Sequence, residues 1–188
     1  MKATDQIRIE RWRPDRLRLT DDLEMLGGLL HACVHAGASV SFVLPFTHDD
    51  AKAFWRDKVL AAVRAESCRV LVARRAKQIV GTVQLDLATP PNQAHRGEVR
   101  KLLVHPEARR RGIARALMMA IEDQAREARR SLITLDTVTG AFAEALYLSI
   151  GYLPVGVIPR YARRPDSLDL EATTVMYKEL AFASSSSK

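Results

Sequence analysis

The order of apolar patterns along this chain predicts a mixed α/β (α+β) layer fold, a central sheet with helices on both faces. Three observations carry that expectation. Residues 113–129 form an amphipathic helix with one apolar stripe. Residues 69–87 read as two strands joined through Ala76-Lys77-Gln78, a connection short enough for a hairpin. The periodicities follow one another as strand, two helices, three strands, helix, strand, helix and two strands, without a repeat or a dividing linker.

Ile7, Ile9 and Trp12 alternate with charged residues as a short first strand would. Pro14 and Asp15 open a helical stretch to about Ala36, with Leu19, Leu23, Leu26, Leu30, Cys33 and Val34 at three-and-four spacing and Gly37 placed to end it. Residues 38–46, small and apolar around Pro45, read as a loop. A second helix is expected from Asp49 to Glu66, capped by Asp49 or Asp50. After the hairpin, Pro90, Pro91 and Asn92 mark a loop, and Glu98–His105 forms a strand stopped by Pro106. Ile113, Ala116, Leu117, Ala120, Ile121 and Ala128 give the clearest helix its stripe. Ser131–Val138 is a further strand, Ala141–Ile150 a helix stopped by Gly151, and residues 152–158 and 173–180 the closing strands. Residues 1–182 are expected to form one domain, and the serine-rich tail 183–188 to be frayed.

At 188 residues and 47% hydrophobic content the chain can bury a core without disulfides or structural metal. The two cysteines, Cys33 and Cys68, make neither a metal signature nor a disulfide framework, which suits a reducing, cytoplasmic setting. The N-terminal residues carry no apolar signal core, and no run reaches the ~18 apolar residues of a membrane span, so no membrane partner is expected. The net charge of +7 is compatible with nucleic acid or with a polyanionic small molecule. No aromatic residues interleave the basic run at 109–111 and no nucleic-acid motif accompanies it, so specific nucleic-acid binding is the less favoured class. No GxxxxGKS/T sequence is present, which argues against a nucleoside triphosphatase. His31 and His35 stand one helical turn apart, but no HExxH glutamate lies between them and no metal is expected.

The segment from Glu98 to Met119 carries the chemistry. A strand ends at His105-Pro106, a basic turn follows, and Gly112 stands where a long helix begins. Helix N-termini expose unpaired N–H groups and partial positive charge, and a glycine there lets an anion approach the backbone. Arg109, Arg110 and Arg111 add cationic donors, so the turn is expected to bind phosphate.

The run from Arg109 to Ala114 resembles the R/Q-x-x-G-x-G/A motif of the GNAT superfamily of N-acetyltransferases. Leu102-Leu103-Val104 before Pro106 is similar to that family's preceding strand, and Ala143, Leu146, Tyr147, Gly151 and Tyr152 resemble its A-x-x-L-Y-x-x-x-G-F/Y signature. Within the superfamily, residues 35–42, Glu98–Leu102, Leu135–Thr137 and the Tyr161…Pro165-Asp166 region are similar to the tabtoxin-resistance acetyltransferases, which acetylate a β-lactam-containing dipeptide toxin. The resemblance implies a mostly antiparallel sheet whose strands splay around an acetyl-CoA cleft, and direct acetyl transfer to an amine, or a hydroxyl, of a small molecule.

It also implies site residues. Leu102, Leu103, Val104, Arg109, Arg110, Arg111, Gly112, Ile113, Ala114 and Arg115 would hold acetyl-CoA, with Tyr147 facing its sulfur as proton donor. Glu98 is the first candidate base, the alternative being an ordinary strand carboxylate paired with Arg96 or Arg100. Asp136 is the second, in an apolar strand where an unpaired buried charge would be costly; the alternative is a structural acceptor. His35, Ser39, Ser41 and Phe42 are candidate lining for the acceptor pocket. Many members carry Asn where this chain has Gly140, so a side-chain contact to the pantetheine arm is lost here. A protein or peptide N-acetyltransferase and a non-catalytic acetyl-CoA sensor are the alternatives on the same fold, and monomer and homodimer stay equally open.

Overall fold

The computed structural model describes residues 6–181; the tail expected to fray falls outside them. Seven strands form one sheet: β1 (Ile7–Arg11), β2 (Cys68–Arg75), β3 (Gln78–Asp86), β4 (Arg96–Val104), β5 (Leu132–Val138), β6 (Leu153–Arg163) and β7 (Leu170–Glu179). Their order is β1-β2-β3-β4-β5-β7-β6, and every pairing is antiparallel except β4 with β5. The helices are α1 (Leu19–His35), α2 (His48–Ala53), α3 (Leu60–Arg64), α4 (Ile113–Glu127) and α5 (Phe142–Ser149).

Two cores sandwich the sheet. On one face Leu26, Leu30 and Val34 of α1, Trp55 and Leu60 pack with Trp12, Val70 and Val72. On the other, Leu117, Ile121 and Ala125 of α4 and Tyr147 of α5 pack with Leu71, Ala73, Ile133 and Met176. The alternation Val70, Leu71, Val72, Ala73 sends successive side chains of β2 to opposite cores, which is why that run is apolar throughout. Cover is uneven along the sheet. Strand β3 is buried from Ile79 to Leu85, whereas β6 is exposed almost residue by residue.

Local chemistry moves several boundaries. Helix α1 starts at Leu19 rather than at Pro14, because Asp15 takes the Leu17 N–H on its side chain and the Arg18 N–H on its carbonyl, making a turn first. The cap of α2 is Thr47, not Asp49 or Asp50: Thr47 Oγ1 accepts the Asp50 N–H while the Asp50 carboxylate accepts the Thr47 N–H, a reciprocal capping box. The expected second helix runs from His48 to Arg64 but widens into a π-turn over Phe54–Val59 between α2 and α3. Helix α4 can seat its first turn against β3 because residue 81 is glycine. A Cβ there would lie 3.1 Å from the Leu103 carbonyl and 3.2 Å from both Ile113 and Leu117.

Candidate functional site

The site is organised by a parting of two strands. β4 runs beside β5 only at Arg96↔Leu132, Gly97↔Ile133 and Glu98↔Thr134. On its other edge it stays with β3 through a bulge: Gln84 pairs with Arg100 and Thr82 with Leu103, so Lys101 and Leu102 together stand opposite the single residue Val83 and β4 carries one extra residue. Lys101 takes a left-handed φ of 51° at this point, a conformation side-chain-bearing residues adopt at a cost. The bulge bends β4, and past Glu98 the edge that faced β5 has no strand partner. Leu102, Leu103 and Val104 lie along that edge, with Leu103 anchored in the α1-side core.

At the far end of the gap the chain turns through a 3-10 turn (Pro106–Ala108) into α4. Arg110 and Gly112 both have left-handed φ, 60° and 76°. The first helical hydrogen bond runs from the Ala116 N–H to the Gly112 carbonyl. The N–H groups of Ile113, Ala114 and Arg115 therefore belong to the free end of the helix, where its dipole is positive. Nothing lies within 4 Å of where a Gly112 Cβ would project, so the glycine is required by its backbone angle and the space beside it is open. The arginines divide their work. Arg109 folds back and donates from Nε to the Val104 carbonyl (3.3 Å), beside Cys33, whose thiol is pushed up to about 11 by burial, an effect Arg109 opposes. Arg115 reaches α5 and donates to Ser149 Oγ at 2.8 Å. Residues 109–112 are exposed.

On the α1 side of the gap lies a charged cluster. Glu98 accepts from Arg100 Nε at 2.8 Å and lies 3.7 Å from Arg96, so the ion pairs foreseen for it are both present. Arg100 also pairs with Asp86 at 2.9 Å, and Arg96 donates to Thr134 Oγ1. Asp136 is exposed, not buried as its apolar neighbours suggested. Where β4 diverges, the α1-side face of β5 opens, and Asp136 accepts the Thr173 hydroxyl there at 3.2 Å. The charges of Glu98 and Asp136 both act on Arg100 and Lys101.

Tyr147 comes from α5 on the opposite face and is 6% exposed. Its phenol is held well above the usual tyrosine range, first by burial and then by the negative charge of Asp136. Gly140, with φ of 78°, donates its N–H to the Glu144 carboxylate ahead of α5.

The loop after α1 supplies the remaining wall. Ser41 Oγ accepts from Lys101 Nζ at 3.1 Å, and the Phe42 and Phe54 rings lie 5.7 and 5.9 Å from that nitrogen, a cation–π box. Burial lowers the Lys101 pKa, with Arg100 adding to the shift. The Leu44 N–H donates to the Pro165 carbonyl, tying this loop to the β6–β7 connection. His35 is not with Lys101: its Nε2 bonds the Phe46 carbonyl at 2.9 Å and its ring packs 4.1 Å from His31. Ser39 is half-buried in the same loop. Among the described residues no group of three His, Cys, Asp or Glu is placed to hold a metal ion. Asp86, Lys101 and Thr173 were not singled out from the sequence; the alternation Arg96, Glu98, Arg100 was the one signal of a polar face on β4.

Comparison with known proteins gives the family and the fold. The model of the acetyltransferase (GNAT) family matches residues 34–152. A curated Azospirillum brasilense protein named IAA acetyltransferase is 38% identical over 104 residues, 55% of this chain; the match spans 66% of that protein, just under two thirds. Among solved structures, a ribosomal-protein-alanine N-acetyltransferase from Brucella melitensis superposes with a TM-score of 0.74 at 23% identity, covering 92% of this chain and 99% of that one. The Salmonella typhimurium protein yncA, solved with its cofactor acetyl-CoA, gives 0.72 at 16% identity over 95% and 96% of the two chains. At these identities the structural likeness is one of fold. Among the described residues no helix is long and apolar enough to cross a membrane.

Proposed function

Because this chain belongs to the acetyltransferase (GNAT) family, we propose that it transfers the acetyl group of acetyl-CoA directly to an amine of a small molecule held beside it. The parting of β4 from β5 carries this reading: an unpartnered strand edge leads from two carboxylates and a buried phenol to the N-terminus of α4. The turn suits the co-substrate's pyrophosphate, because the first N–H groups of α4 are free of helical partners, Gly112 leaves open space beside them, and three arginines supply positive charge. When bound, acetyl-CoA supplies an activated thioester and a thiol leaving group.

The chain's own groups do the rest. The backbone of Leu102, Leu103 and Val104 orients the pantetheine arm as an added strand would, and its N–H groups polarise the acetyl carbonyl. Glu98 takes the proton of the acceptor ammonium, directly or through water, with Asp136 as the second acceptor across the gap. A nitrogen–carbon bond forms as the carbon–sulfur bond breaks, and the second proton the nitrogen sheds passes to Asp136. Tyr147, kept protonated by burial and by Asp136, gives its proton to the departing sulfur. Phe42, Ser41 and Lys101 line the acceptor side.

Two acceptor chemistries have support. The likeness of residues 35–42 and the Glu98 and Asp136 segments to tabtoxin-resistance enzymes supports a β-lactam-bearing amine, and the curated relative's name supports IAA. The test is release of free CoA thiol from acetyl-CoA across a panel of small amines headed by tabtoxinine-β-lactam. Acceptor-dependent release that collapses in Glu98→Gln is the expected result. Tight acetyl-CoA binding without turnover on any amine or on IAA would overturn it in favour of a sensor.

A further inference from the structure

Beside the charged cluster, on the same face of the sheet, a cavity of about 260 Å³ opens between the π-turn with α3 and strands β3 and β4. Phe54, Lys58, Gln84, Asp86, Arg100 and Lys101 are among its walls. Gln84 is the informative one. It is only 6% exposed, and its side-chain Nε2 has no hydrogen-bond partner. Buried donors are almost always satisfied, so one left open on the wall of a cavity points to a ligand acceptor.

The charges say which kind. Lys58, Arg100 and Lys101 face one carboxylate, Asp86, a formal excess of two positive charges around the cavity. Asp86 is already paired with Arg100, and Arg100 in turn with Glu98. The groups left to meet a ligand are therefore donors: the Gln84 amide and the Lys58 and Lys101 ammoniums. Lys101 is restrained by Ser41 and the two phenyl rings, so its position over the cavity is set in advance. Position ties the cavity to the transfer site. Gln84 pairs with Arg100 and Asp86 with Glu98 across the β3–β4 ladder, so all four side chains share one face.

We propose that this cavity binds a carboxylate of the acceptor, so that the substrates are amines bearing a carboxylate group, amino acids or molecules built like them. This rests on the acetyl-transfer reading above for what happens to the amine, though not for the binding itself.

The test uses pairs that differ only in the carboxylate: serine with ethanolamine, phenylalanine with phenethylamine, lysine with cadaverine. Binding to the CoA-loaded full-length protein is followed by saturation-transfer NMR, and acetylation by thiol release. At least one acid should bind, and be acetylated, about tenfold better than its amine, the scale of a hydrogen bond to a charged group. That preference should shrink toward one in Gln84→Leu and by about threefold in Lys58→Ala, a change at an exposed side chain that the fold tolerates. Acids that bind without being acetylated would uphold the cavity and overturn the proposed reaction. No acid binding, equal binding of acid and amine, or a preference that survives both substitutions would overturn the inference while leaving acetyl transfer intact.

Discussion

The two ends of the gap between β4 and β5 are built by different means. At the α4 end a contiguous turn does everything: Arg109 to Ala114 sets two left-handed residues, an open glycine and a helix N-terminus in six positions. At the other end nothing is contiguous. Asp86 comes from β3, Glu98 and Arg100 from β4, Asp136 from β5, Tyr147 from α5, and Ser41 and Phe42 from a loop held against Lys101. In the proposed reaction the first end acts through backbone groups that any chain of the right conformation presents. The second would act through side chains whose partners are fixed only by the fold, which is where relatives on one fold can diverge in substrate while keeping one donor.

Substitutions at the two ends should therefore separate affinity for the donor from rate. The largest expected effect is Glu98→Gln, which should lower kcat about 10²-fold or more, the scale of losing a general base, and leave acetyl-CoA affinity essentially as it was. An isothermal titration beside a steady-state assay checks both halves. Gly112→Val should do the reverse, weakening acetyl-CoA roughly 30- to 100-fold, the ~2–3 kcal/mol of a lost charge-assisted phosphate contact. Its physical cause is φ of 76°, which a β-branched residue resists.

Tyr147→Phe comes next, with kcat lowered about tenfold. The pH profile is the sharper readout. A phenol that donates must be protonated, and its pKa is raised by burial and Asp136, so the wild-type plateau should extend past pH ~10, the ordinary tyrosine value. A descending limb near pH 9 that disappears in Tyr147→Phe would contradict the raised pKa, and an unchanged kcat in Tyr147→Phe would break the assignment as proton donor.

The smallest effect belongs to the histidines behind the acceptor loop. The His31 pKa is lowered by burial and then by His35 and His48, whose ring lies 5.9 Å away. The unfolded chain then takes up that proton at a higher pH than the folded one, so stability is present above pH ~6.5 and is lost as pH falls toward the folded value. Thermal melts at pH 7 and 5 should show a drop of about 2 °C that His31→Gln removes. Acceptor KM, and not acetyl-CoA affinity, should follow it, because the loop carrying Phe42 hangs from this cluster through His35 and Phe46.

The same contrast explains what could be foreseen from the residues. The turn at Arg109–Ala114 was legible because helix start, glycine and arginines are neighbours in the chain. The succession of strands and helices along the chain was legible from period-two and helical runs, and helix α4 from its stripe; the order of strands in the sheet, with β7 between β5 and β6, was not. The acceptor end was not. Nothing in the run Arg100-Lys101-Leu102 announces a bulge, since its cause is a pairing between Gln84 and Arg100 on one side and Thr82 and Leu103 on the other. Asp136 reads as buried because Leu135 and Ile133 are apolar, yet those two point to the α4 core while Asp136 faces the side that β4 vacates. Thr47 was overlooked as a cap although Thr-His-Asp-Asp carries the capping-box spacing.

The most direct test of the whole account is calorimetric titration of the full-length protein with acetyl-CoA at physiological salt, with duplex DNA titrated in parallel. Saturable one-to-one binding of acetyl-CoA, weakened in Gly112→Val and retained in Glu98→Gln, is the expected result. Absence of saturable acetyl-CoA binding, with DNA bound in a steeply salt-dependent way instead, would contradict it and assign the basic turn to another partner.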